Sequence, residues 1–327
     1  MADSAPVISP SLPSTQPASL AFDAARVTER AAIAASGQIG RGDEMTADRL
    51  AIEAMRRGLD ELDIAGRIVI GEGEAEGASV LHIGAAVGTG RGSALDVALD
   101  PLEGATLTAK GMSGALSVLA LSIGGGLMKM PDAYMDKIAI GPGYPTGTVD
   151  LDRSPEDNVR SLADAKGVAP QAIAVCVLDR PRNARLIAAL REVGARVTMI
   201  SDGDIAGVIH TTEPDAGIDM YLGSGGAPEG VLAAAALKCV GGLFQGRLVW
   251  RNDDERARAV RMGLQDPDRK YDLDDLVSRD VVFAATGVTR GDMLDGVVVR
   301  DGQVSTHTLV MDSASRTIRR IRTTRPI

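Results

Sequence analysis

The first part of the chain carries apolar residues at helical spacing. Residues 22–39 show this pattern, and residues 46–62 repeat it as a stripe at steps of three and four. Thr46 has a side chain that can cap the start of the second stretch. We therefore predict two helices before the first strand.

Short apolar runs bounded by glycine and polar turns predict the strands of the first half. These runs lie at residues 67–71, 95–99, 106–122 and 132–141. The third run is apolar, rich in strand-forming residues and hinged at a glycine. We expect strand structure along its whole length.

Strand and helix patterns alternate in the second half of the chain. Residues 173–178 predict a buried strand, residues 184–193 a helix that Gly194 ends, and residues 197–200 the next strand. Further elements are expected as a helix from Gly203, a strand at 220–222, a helix at 228–239 and strands at 281–285, 296–299, 306–311 and 317–322. This order indicates an α/β fold with parallel pairing.

Residues 141–155 are rich in turn-forming residues and are the best candidate for a link between domains. We predict a disordered leader at 1–20, an N-terminal subdomain at 21–165 and a C-terminal α/β subdomain at 166–327. The leader is rich in Pro and Ser and lacks the basic and apolar regions of a secretory signal. The longest apolar stretches are interrupted by Gly, Ser or Lys, so we expect a cytoplasmic protein without a membrane span.

Composition removes several classes of function. The 327 residues include 35 Lys and Arg against 44 Asp and Glu, and the net charge of -9 makes binding to a bare phosphate backbone improbable. Aromatic residues are only 2%, which disfavours modules that stack on nucleic-acid bases. The two cysteines and three histidines lack disulfide or zinc-site spacing, so a zinc protease is not favoured.

An acidic, glycine-rich loop follows the first predicted strand. Residues 70–76 read IGEGEAE, and three acids at the place of a phosphate loop would repel a phosphate. The glycine spacing also fails the dinucleotide-binding pattern. Carboxylates at a strand end suit a hard cation, which makes Glu72 a candidate ligand. A solvated turn is the alternative.

A second acidic segment follows the predicted strand at 95–99. Asp100 and Glu103 stand three residues apart, and Pro101 restricts the backbone between them. The two carboxylates can therefore aim at one point, and ligation by oxygen alone suits Mg²⁺ or Mn²⁺. An ordinary Asp-Pro turn is the alternative, although two acidic strand ends in one domain weaken it.

The glycine-rich segment at 223–230 precedes an Ala-rich helix. Pro228 suits the first position of that helix, whose free backbone N–H groups could hold a phosphate. Alternatively, Glu229 is simply a partner for the positive end of the helix dipole.

Polar residues also follow two predicted strands at the edge where open α/β sheets bind ligands. They are Arg180 and Arg182 after one strand, and Asp202 and Asp204 after the next. The arginines could hold a phosphate or could be ordinary surface residues. Carboxylates for a divalent metal, together with basic groups for phosphate, predict metal-assisted phosphoester hydrolysis.

Eight motifs occur in chain order over roughly residues 21–323. They are GRGD (40–43) with TAD (46–48), IGEGE (70–74), DPLEG (100–104), YMDKIAIGPG (134–143), DRPR (179–182), DGD (202–204), GGAPEG (225–230) and ATGVTRGD (285–292). This series resembles the bacterial class II fructose-1,6-bisphosphatases, which belong to the metal-dependent, lithium-sensitive phosphatases.

The resemblance implies a layered α-β-α-β-α sandwich of two subdomains, with the metal site in the first. It implies hydrolysis of the 1-phosphate of fructose 1,6-bisphosphate with Mg²⁺ or Mn²⁺ in gluconeogenesis, and in some members also the hydrolysis of sedoheptulose 1,7-bisphosphate. It further implies a homodimer or homotetramer.

The resemblance also implies residue roles. The metal-binding and water-activating carboxylates would be Asp48, Glu72, Asp100, Glu103 and Glu229. The residues for the sugar and the 6-phosphate would be Tyr134, Arg180, Arg182, Asp202 and Asp204. The backbone N–H groups of Gly104 and Ala105 would bind the 1-phosphate.

Two positions depart from the family pattern. Ala105 stands where the family carries Thr or Ser, whose hydroxyl orients the attacking water, so we expect reduced activity unless the neighbouring Thr106 compensates. Glu44 replaces a basic residue that follows GRGD, so a phosphate contact is lost or another acid joins the metal site. The alternatives are an inositol-phosphate or phosphonucleotide phosphatase of the same superfamily, and a non-catalytic sugar-phosphate sensor.

Overall fold

The two N-terminal helical patterns fold as a pair of packed helices in the computed structural model, which describes residues 18–73 and 79–327. Helix α1 spans Ala18–Ser36 and helix α2 spans Glu44–Asp60. The prediction that Thr46 caps α2 is wrong, because the Asp43 side chain accepts a hydrogen bond of 2.9 Å from the Thr46 backbone N–H and is itself the cap. Residues 1–17 of the predicted leader, and Glu74 and Glu76 of the acidic loop, lie outside the described residues.

Fourteen strands follow within the described residues. They are β1 (Ile64–Ile70), β2 (Ala86–Val87), β3 (Ser93–Glu103), β4 (Leu116–Ile123), β5 (Tyr134–Ile140), β6 (Ala174–Leu178), β7 (Arg196–Ile200), β8 (Met220–Gly226), β9 (Leu243–Val249), β10 (Lys270–Asp272), β11 (Val281–Gly287), β12 (Val298–Arg300), β13 (Gln303–Asp312) and β14 (Thr317–Pro326). The remaining α-helices are α3 (Ala105–Lys110), α4 (Pro155–Lys166), α5 (Ala184–Glu192), α6 (Asp204–Ile209), α7 (Ala227–Val240), α8 (Asp253–Arg261) and α9 (Leu273–Leu276).

The strands form two sheets. The first has eight strands in the order β12-β13-β11-β4-β3-β1-β2, with β14 paired to β13. The second has six strands in the order β10-β9-β5-β8-β6-β7. The predicted β-α-β unit is confirmed, since β6 pairs in parallel with both β7 and β8. Much of the remaining pairing is antiparallel, so both sheets are mixed rather than purely parallel.

Three hydrophobic clusters define five layers. One packs α1 and α2 on the outer face of the first sheet, a second packs α6 and α7 between the sheets, and a third packs α4 and α5 on the outer face of the second sheet. Helix α7 can occupy the middle layer because it is apolar on nearly every side, with ten of its fourteen residues buried. The expected α-β-α-β-α sandwich is confirmed.

The expectation of strand along residues 106–122 is wrong for its first half. Gly104 adopts φ +92° and Gly111 adopts φ +66°, and these two left-handed glycines bracket the short helix α3. Only the second half becomes a strand, β4. Helix α4, capped by Ser154, and strand β9 lie in segments where the sequence led us to predict no element.

Both cysteines are buried free thiols, in line with the absence of a disulfide pattern. Of the helices in the described part of the chain, none combines the length and apolar character needed to cross a membrane.

Candidate active site

Two adjoining cavities collect nearly all of the residues singled out in the sequence. The first, which we call the carboxylate cavity, has a volume of about 350 Å³. It is lined by four of the five proposed metal ligands: Asp48, Glu72, Asp100 and Glu229. These come from α2, the loop after β1, strand β3 and the start of α7, so four elements distant in sequence build one acidic surface.

The second, which we call the arginine cavity, has a volume of about 230 Å³. It contains the whole set proposed for the sugar and the 6-phosphate: Tyr134, Arg180, Arg182, Asp202 and Asp204. Asp132 and Glu229 line both cavities. The acidic and basic surfaces are therefore neighbours across a shared wall.

Asp100 and Glu103 belong to strand β3 itself rather than to a turn after it. The pairing of β3 with β4 shifts register between these two residues, at the position of Pro101. The alternative of an ordinary Asp-Pro turn is therefore wrong. Asp100 lines the carboxylate cavity, whereas Glu103 is buried and is not part of that lining.

Glu103 is held between the two halves of the site. It is only 5% exposed, and its Oε1 accepts a hydrogen bond of 3.0 Å from the backbone N–H of Ile205 at the start of α6. Burial raises its pKa well above the usual value, and the charges of Asp204 and Asp100 raise it further. The side chain thus links the acidic strand to the loop that carries Asp202 and Asp204.

Burial, and then repulsion between like charges, opposes ionisation in the carboxylate cavity. Burial, followed by the charges of Asp48 and Glu229, raises the pKa of Glu72 to about 7. The pKa of Asp100 is raised well above its usual range by burial and by Glu72 and Glu229. Burial also raises the pKa values of Asp48 and Glu229. Several acids in this state can all be ionised only if a cation is close.

The residues present fit a divalent cation. Oε2 of Glu103 and Oε2 of Glu229 are both buried without a hydrogen-bond partner in the described part of the chain. Buried, unpaired carboxylate oxygens are costly unless a cation neutralises them, and an all-oxygen set is typical of hard divalent metals. Among residues 18–73 and 79–327, however, no three acidic, His or Cys side chains are already arranged as a ligand group.

Two glycines make room for the carboxylates at the start of α7. A Cβ at Gly226 would stand 2.0 Å from Oε2 of Glu229, and a Cβ at Gly225 would stand 2.1 Å from Oδ2 of Asp204. We predicted Pro228 as the first residue of α7. The helix begins at Ala227, so Pro228 is its second residue. The Glu229 carboxylate therefore lies against the helix start, which the dipole favours, and also faces the cavity.

The arginine cavity is organised around an aromatic ring. The Arg182 guanidinium lies 4.4 Å from the centroid of Tyr134, and that of Arg251 lies 5.4 Å from it. The Arg182 Nε–H also donates a hydrogen bond of 2.9 Å to the Ser224 carbonyl. These contacts fix Arg182 and leave a polar space, lined by three arginines as well as by acids, next to the carboxylate cavity.

Three site residues were missed in the sequence. Asp132 lines both cavities, Arg251 lines the arginine cavity, and Lys137 forms a buried ion pair with Asp204. Lys137 had a visible signal, since it is the one cation in strand β5 and directly precedes three apolar residues. For the other two, only the long-range packing reveals the role.

The segment Gly104-Ala105-Thr106 follows Glu103 and opens α3, although these described residues are not among those lining either cavity. Ala105 and Thr106 are half-buried. Glu44 is exposed at the start of α2. Burial raises the pKa of Asp202, and the charges of Asp204 and Glu44 raise it further. Glu44 therefore acts on the substrate-side loop across space.

Comparison with known proteins adds a family. The chain matches the family described as bacterial fructose-1,6-bisphosphatase, glpX-encoded, over residues 18–325. It is 43% identical over 316 residues to fructose-1,6-bisphosphatase 1 class 2 of Escherichia coli (strain K12), covering 92% of this chain and 94% of that protein. It is 42% identical over 325 residues to the D-fructose 1,6-bisphosphatase class 2/sedoheptulose 1,7-bisphosphatase of Synechococcus sp. (strain JA-3-3Ab), covering 92% and 93%.

Proposed function

The chain belongs to the bacterial glpX-encoded fructose-1,6-bisphosphatase family, and we propose that its two adjoining cavities divide the work of that reaction. The protein is a phosphoric monoester hydrolase that converts fructose 1,6-bisphosphate to fructose 6-phosphate and phosphate. The observation that supports this division is the shared wall of Asp132 and Glu229, which sets an acidic, metal-fitting space beside one that also carries three arginines. A bisphosphate needs both, one for each end.

The carboxylate cavity binds the divalent metal that the hydrolysis requires. The five carboxylates that hold Mg²⁺ or Mn²⁺ are Asp48, Glu72, Asp100, Glu103 and Glu229. When bound, the divalent ions offset the charge of the phosphoryl group and lower the pKa of water. The unpartnered oxygens of Glu103 and Glu229 support this assignment, because both are buried and neither has a hydrogen-bond donor among residues 18–73 and 79–327.

The arginine cavity binds the far end of the substrate. Arg180 and Arg182 hold the 6-phosphate, since guanidinium groups pair with phosphate oxygens through paired N–H donors. Asp202 and Asp204 accept hydrogen bonds from sugar hydroxyls. The ring of Tyr134 holds the Arg182 guanidinium in place through a cation–π contact. Substrate binding there places the 1-phosphate toward the shared wall.

Gly104 and Ala105 offer backbone N–H groups to the 1-phosphate, while Glu72 and Asp48 help to deprotonate the attacking water. The methyl group of Ala105 cannot orient that water, so the rate is low unless the hydroxyl of Thr106 takes its place. Binding of metal and sugar bisphosphate does not depend on that hydroxyl and is kept.

We further propose that the chain also accepts sedoheptulose 1,7-bisphosphate, which the name of the Synechococcus relative mentions. A longer sugar would need the same two phosphate sites. We also propose a cytoplasmic homodimer or homotetramer. The family match does not favour the inositol-phosphate or phosphonucleotide alternative.

Phosphate release across a panel of sugar phosphates tests the function. The panel is fructose 1,6-bisphosphate, sedoheptulose 1,7-bisphosphate, fructose 6-phosphate and inositol 1-phosphate, each with Mg²⁺, Mn²⁺ or a chelator. We expect release from the two bisphosphates only, and only with metal.

The variant Arg182→Gln removes one of the two arginines proposed to hold the 6-phosphate. It is expected to lose the preference for bisphosphates. Equal rates of phosphate release from inositol 1-phosphate and from fructose 1,6-bisphosphate would contradict the proposed substrate preference. Tight binding of fructose 1,6-bisphosphate without turnover, even in Ala105→Thr, would indicate a sensor instead.

A further inference from the structure

A third cavity lies apart from both halves of the active site. Its volume is about 420 Å³, and its walls come from the loop after α1, the end of α3, the segment from β11 to β12, and strands β13 and β14. We call it the β11–β12 cavity. It shares no lining residue with the carboxylate or arginine cavity. Part of its lining is the motif ATGVTRGD, for which the proposed reaction has no use.

The lining is apolar with a few charged groups. Ile39, Met112 and the valines of the β11–β12 segment supply the apolar part. Arg290, Arg322 and His307 supply polar groups, with Asp295 as the one acid. A space of this size with mostly apolar walls and a few polar groups is typical of a small-molecule site.

The charges in the β11–β12 cavity are arranged for an anion. Arg322 Nη2 lies 2.6 Å from Oδ2 of Asp295, so that carboxylate is already neutralised. His307 Nδ1 accepts a hydrogen bond of 3.1 Å from the Asp295 backbone N–H, which leaves the proton of the neutral ring on Nε2. Within the described part of the chain, the Arg290 side chain has no hydrogen bond or close ion pair, and it is exposed. It is the cation left for a ligand.

A short helix joins one wall of the cavity to a residue proposed to bind the 1-phosphate. Helix α3 has Gly104 at its start, the proposed seat of the 1-phosphate, and Gly111 to Ser113 at its end line the β11–β12 cavity. Six helical residues span only about 9 Å. The Met112 N–H donates to the Leu107 carbonyl at 2.8 Å, so the cavity wall is hydrogen-bonded to the helix.

A second contact runs through Gly114. Its N–H donates to the Arg290 carbonyl at 3.1 Å, and a Cβ at Gly291 would stand 3.1 Å from its Cα. On its other side, a Cβ at Gly203 would stand 3.9 Å from the Gly114 carbonyl oxygen. Gly203 lies between Asp202 and Asp204. The β11–β12 segment therefore contacts Gly114, which follows α3 in the chain and lies next to Gly203 in the Asp202 loop.

We propose that the β11–β12 cavity binds a small organic anion, a phosphate, phosphonate or carboxylate joined to an apolar or aromatic part, and that its occupancy changes the affinity of the active site. Arg290 holds the anionic group, and Met112, Ile39 and the valines cover the apolar part. The coupling, but not the binding, rests on the proposed function of Gly104 and the Asp202 loop.

Calorimetric titration with phenylphosphonate tests the binding directly, with no need for turnover. We expect saturable binding with a Kd of about 1 mM or tighter, and binding of methylphosphonate that is roughly tenfold weaker because it lacks the apolar part. Met112→Trp fills the cavity and Arg290→Gln removes the free cation, so each should weaken binding about fivefold or more. Arg319→Gln on β14, outside the cavity, is the matched control and should bind as the unchanged chain does.

Saturable binding that neither Met112→Trp nor Arg290→Gln weakens would overturn the site, as would the lack of saturable binding near 1 mM. Displacement of phenylphosphonate by fructose 1,6-bisphosphate in simple competition would place it in the arginine cavity and also overturn the proposal.

The coupling is measured as the KM of phosphate release, or as the calorimetric Kd where turnover is slow, for fructose 1,6-bisphosphate with and without phenylphosphonate. A change of about fivefold or more is expected. An unchanged value with the β11–β12 cavity occupied would refute the coupling alone.

Discussion

Lys137 donates a hydrogen bond to Asp204 in a place where neither side chain meets solvent: the lysine side chain is 0% and the aspartate side chain 6% exposed. Asp204 raises the pKa of both Glu103 and Glu229, whereas Lys137 lowers that of Glu229. Lys137 is thus a buried protein cation amid the acids of the site. Its position explains how Asp204 stays in the arginine cavity without a metal.

Replacing Lys137 with Met should destabilise the protein strongly. It leaves the Asp204 carboxylate buried and unpaired, and breaking a buried pair in this way typically costs about 3–5 kcal/mol. Urea denaturation of the metal-free protein measures the change. The double variant Lys137→Met with Asp204→Asn should recover most of the lost stability but not the activity, since Asp204 also faces the substrate.

If Lys137→Met alone is as stable as the unchanged chain, the pair has no structural role. If the double variant is no more stable than the single one, the loss comes from packing of the lysine stem rather than from the unpaired charge.

Ala105→Thr should raise the turnover number for fructose 1,6-bisphosphate by roughly 10²-fold or more, because a hydroxyl at this position can orient the attacking water. The KM should change little. Thr106→Val is the matched variant, and it should abolish residual activity only if Thr106 compensates at present. An unchanged rate in Ala105→Thr would show that position 105 does not limit the reaction.

Gly226→Ala should weaken metal binding and slow the reaction by displacing Glu229. The added Cβ would meet Glu229 Oε2 at 2.0 Å, whereas φ at Gly226 is -70°, so the effect is steric and involves no backbone strain. Gly37→Ala, whose Cβ would meet nothing closer than 3.9 Å, is the control. Equal Mn²⁺ affinity by calorimetry in the two variants would remove Glu229 from the metal site.

Asp100→Asn should stabilise the metal-free protein while abolishing activity. Burial and the charges of Glu72 and Glu229 oppose ionisation of Asp100, so removing this charge relieves repulsion. A gain of about 1 kcal/mol would raise the melting temperature by roughly 2–4 °C. Thermal melts with chelator measure the stability of the metal-free protein, and melts with Mg²⁺ measure the stabilisation by the metal, which should be smaller in this variant. A lower melting temperature in chelator would contradict the proposed repulsion.

The stability of the metal-free protein should fall as the pH rises toward 7. The folded pKa of Glu72 is about 7, above its ordinary 4.5, so the folded state keeps a proton that the unfolded state releases between those values. This contribution is therefore present below the unfolded pKa and is lost as pH rises through the folded one. Melting temperatures in chelator at about pH 5.5 and about pH 8 test the slope, which Glu72→Gln should flatten.

Metal binding should depend on pH in the opposite direction. The ligands must be ionised to hold a cation, so binding near pH 6 should release protons and affinity should rise toward pH 8. Calorimetry with Mg²⁺ in two buffers of different ionisation enthalpy counts those protons. No proton release at pH 6 would show that Glu72 is already ionised or is not involved.

Much of the fold could be predicted because the signals are local. The strand at 173–178, the helix at 184–193 and the strands near the C-terminus are set by apolar periodicity and by glycine at the turns. Helix α3 was predicted as strand because Thr106, Leu107 and Thr108 suit either state. Two left-handed glycines a few residues apart decide for the helix, and neither glycine declares its φ in the sequence.

The site divides in the same way. The acids of the IGEGE and DPLEG segments and the arginines of DRPR were recognisable from residue type and spacing. Asp132 and Arg251 were not, because each gains its role from residues on other strands and helices.

By itself, the sequence determined which short segments could carry carboxylates, arginines and caps, because those properties depend on neighbours a few residues away. The tertiary structure alone decided that four elements place their acids around one cavity and that Glu229 and Asp132 join it to the arginines. It also decided which charges are buried. Burial raises the pKa of Glu72, and the tertiary packing brings Lys137 of β5 to Asp204 at the start of α6. Desolvation and Coulomb repulsion are long-range terms, so they exist only once the two sheets have packed around α7.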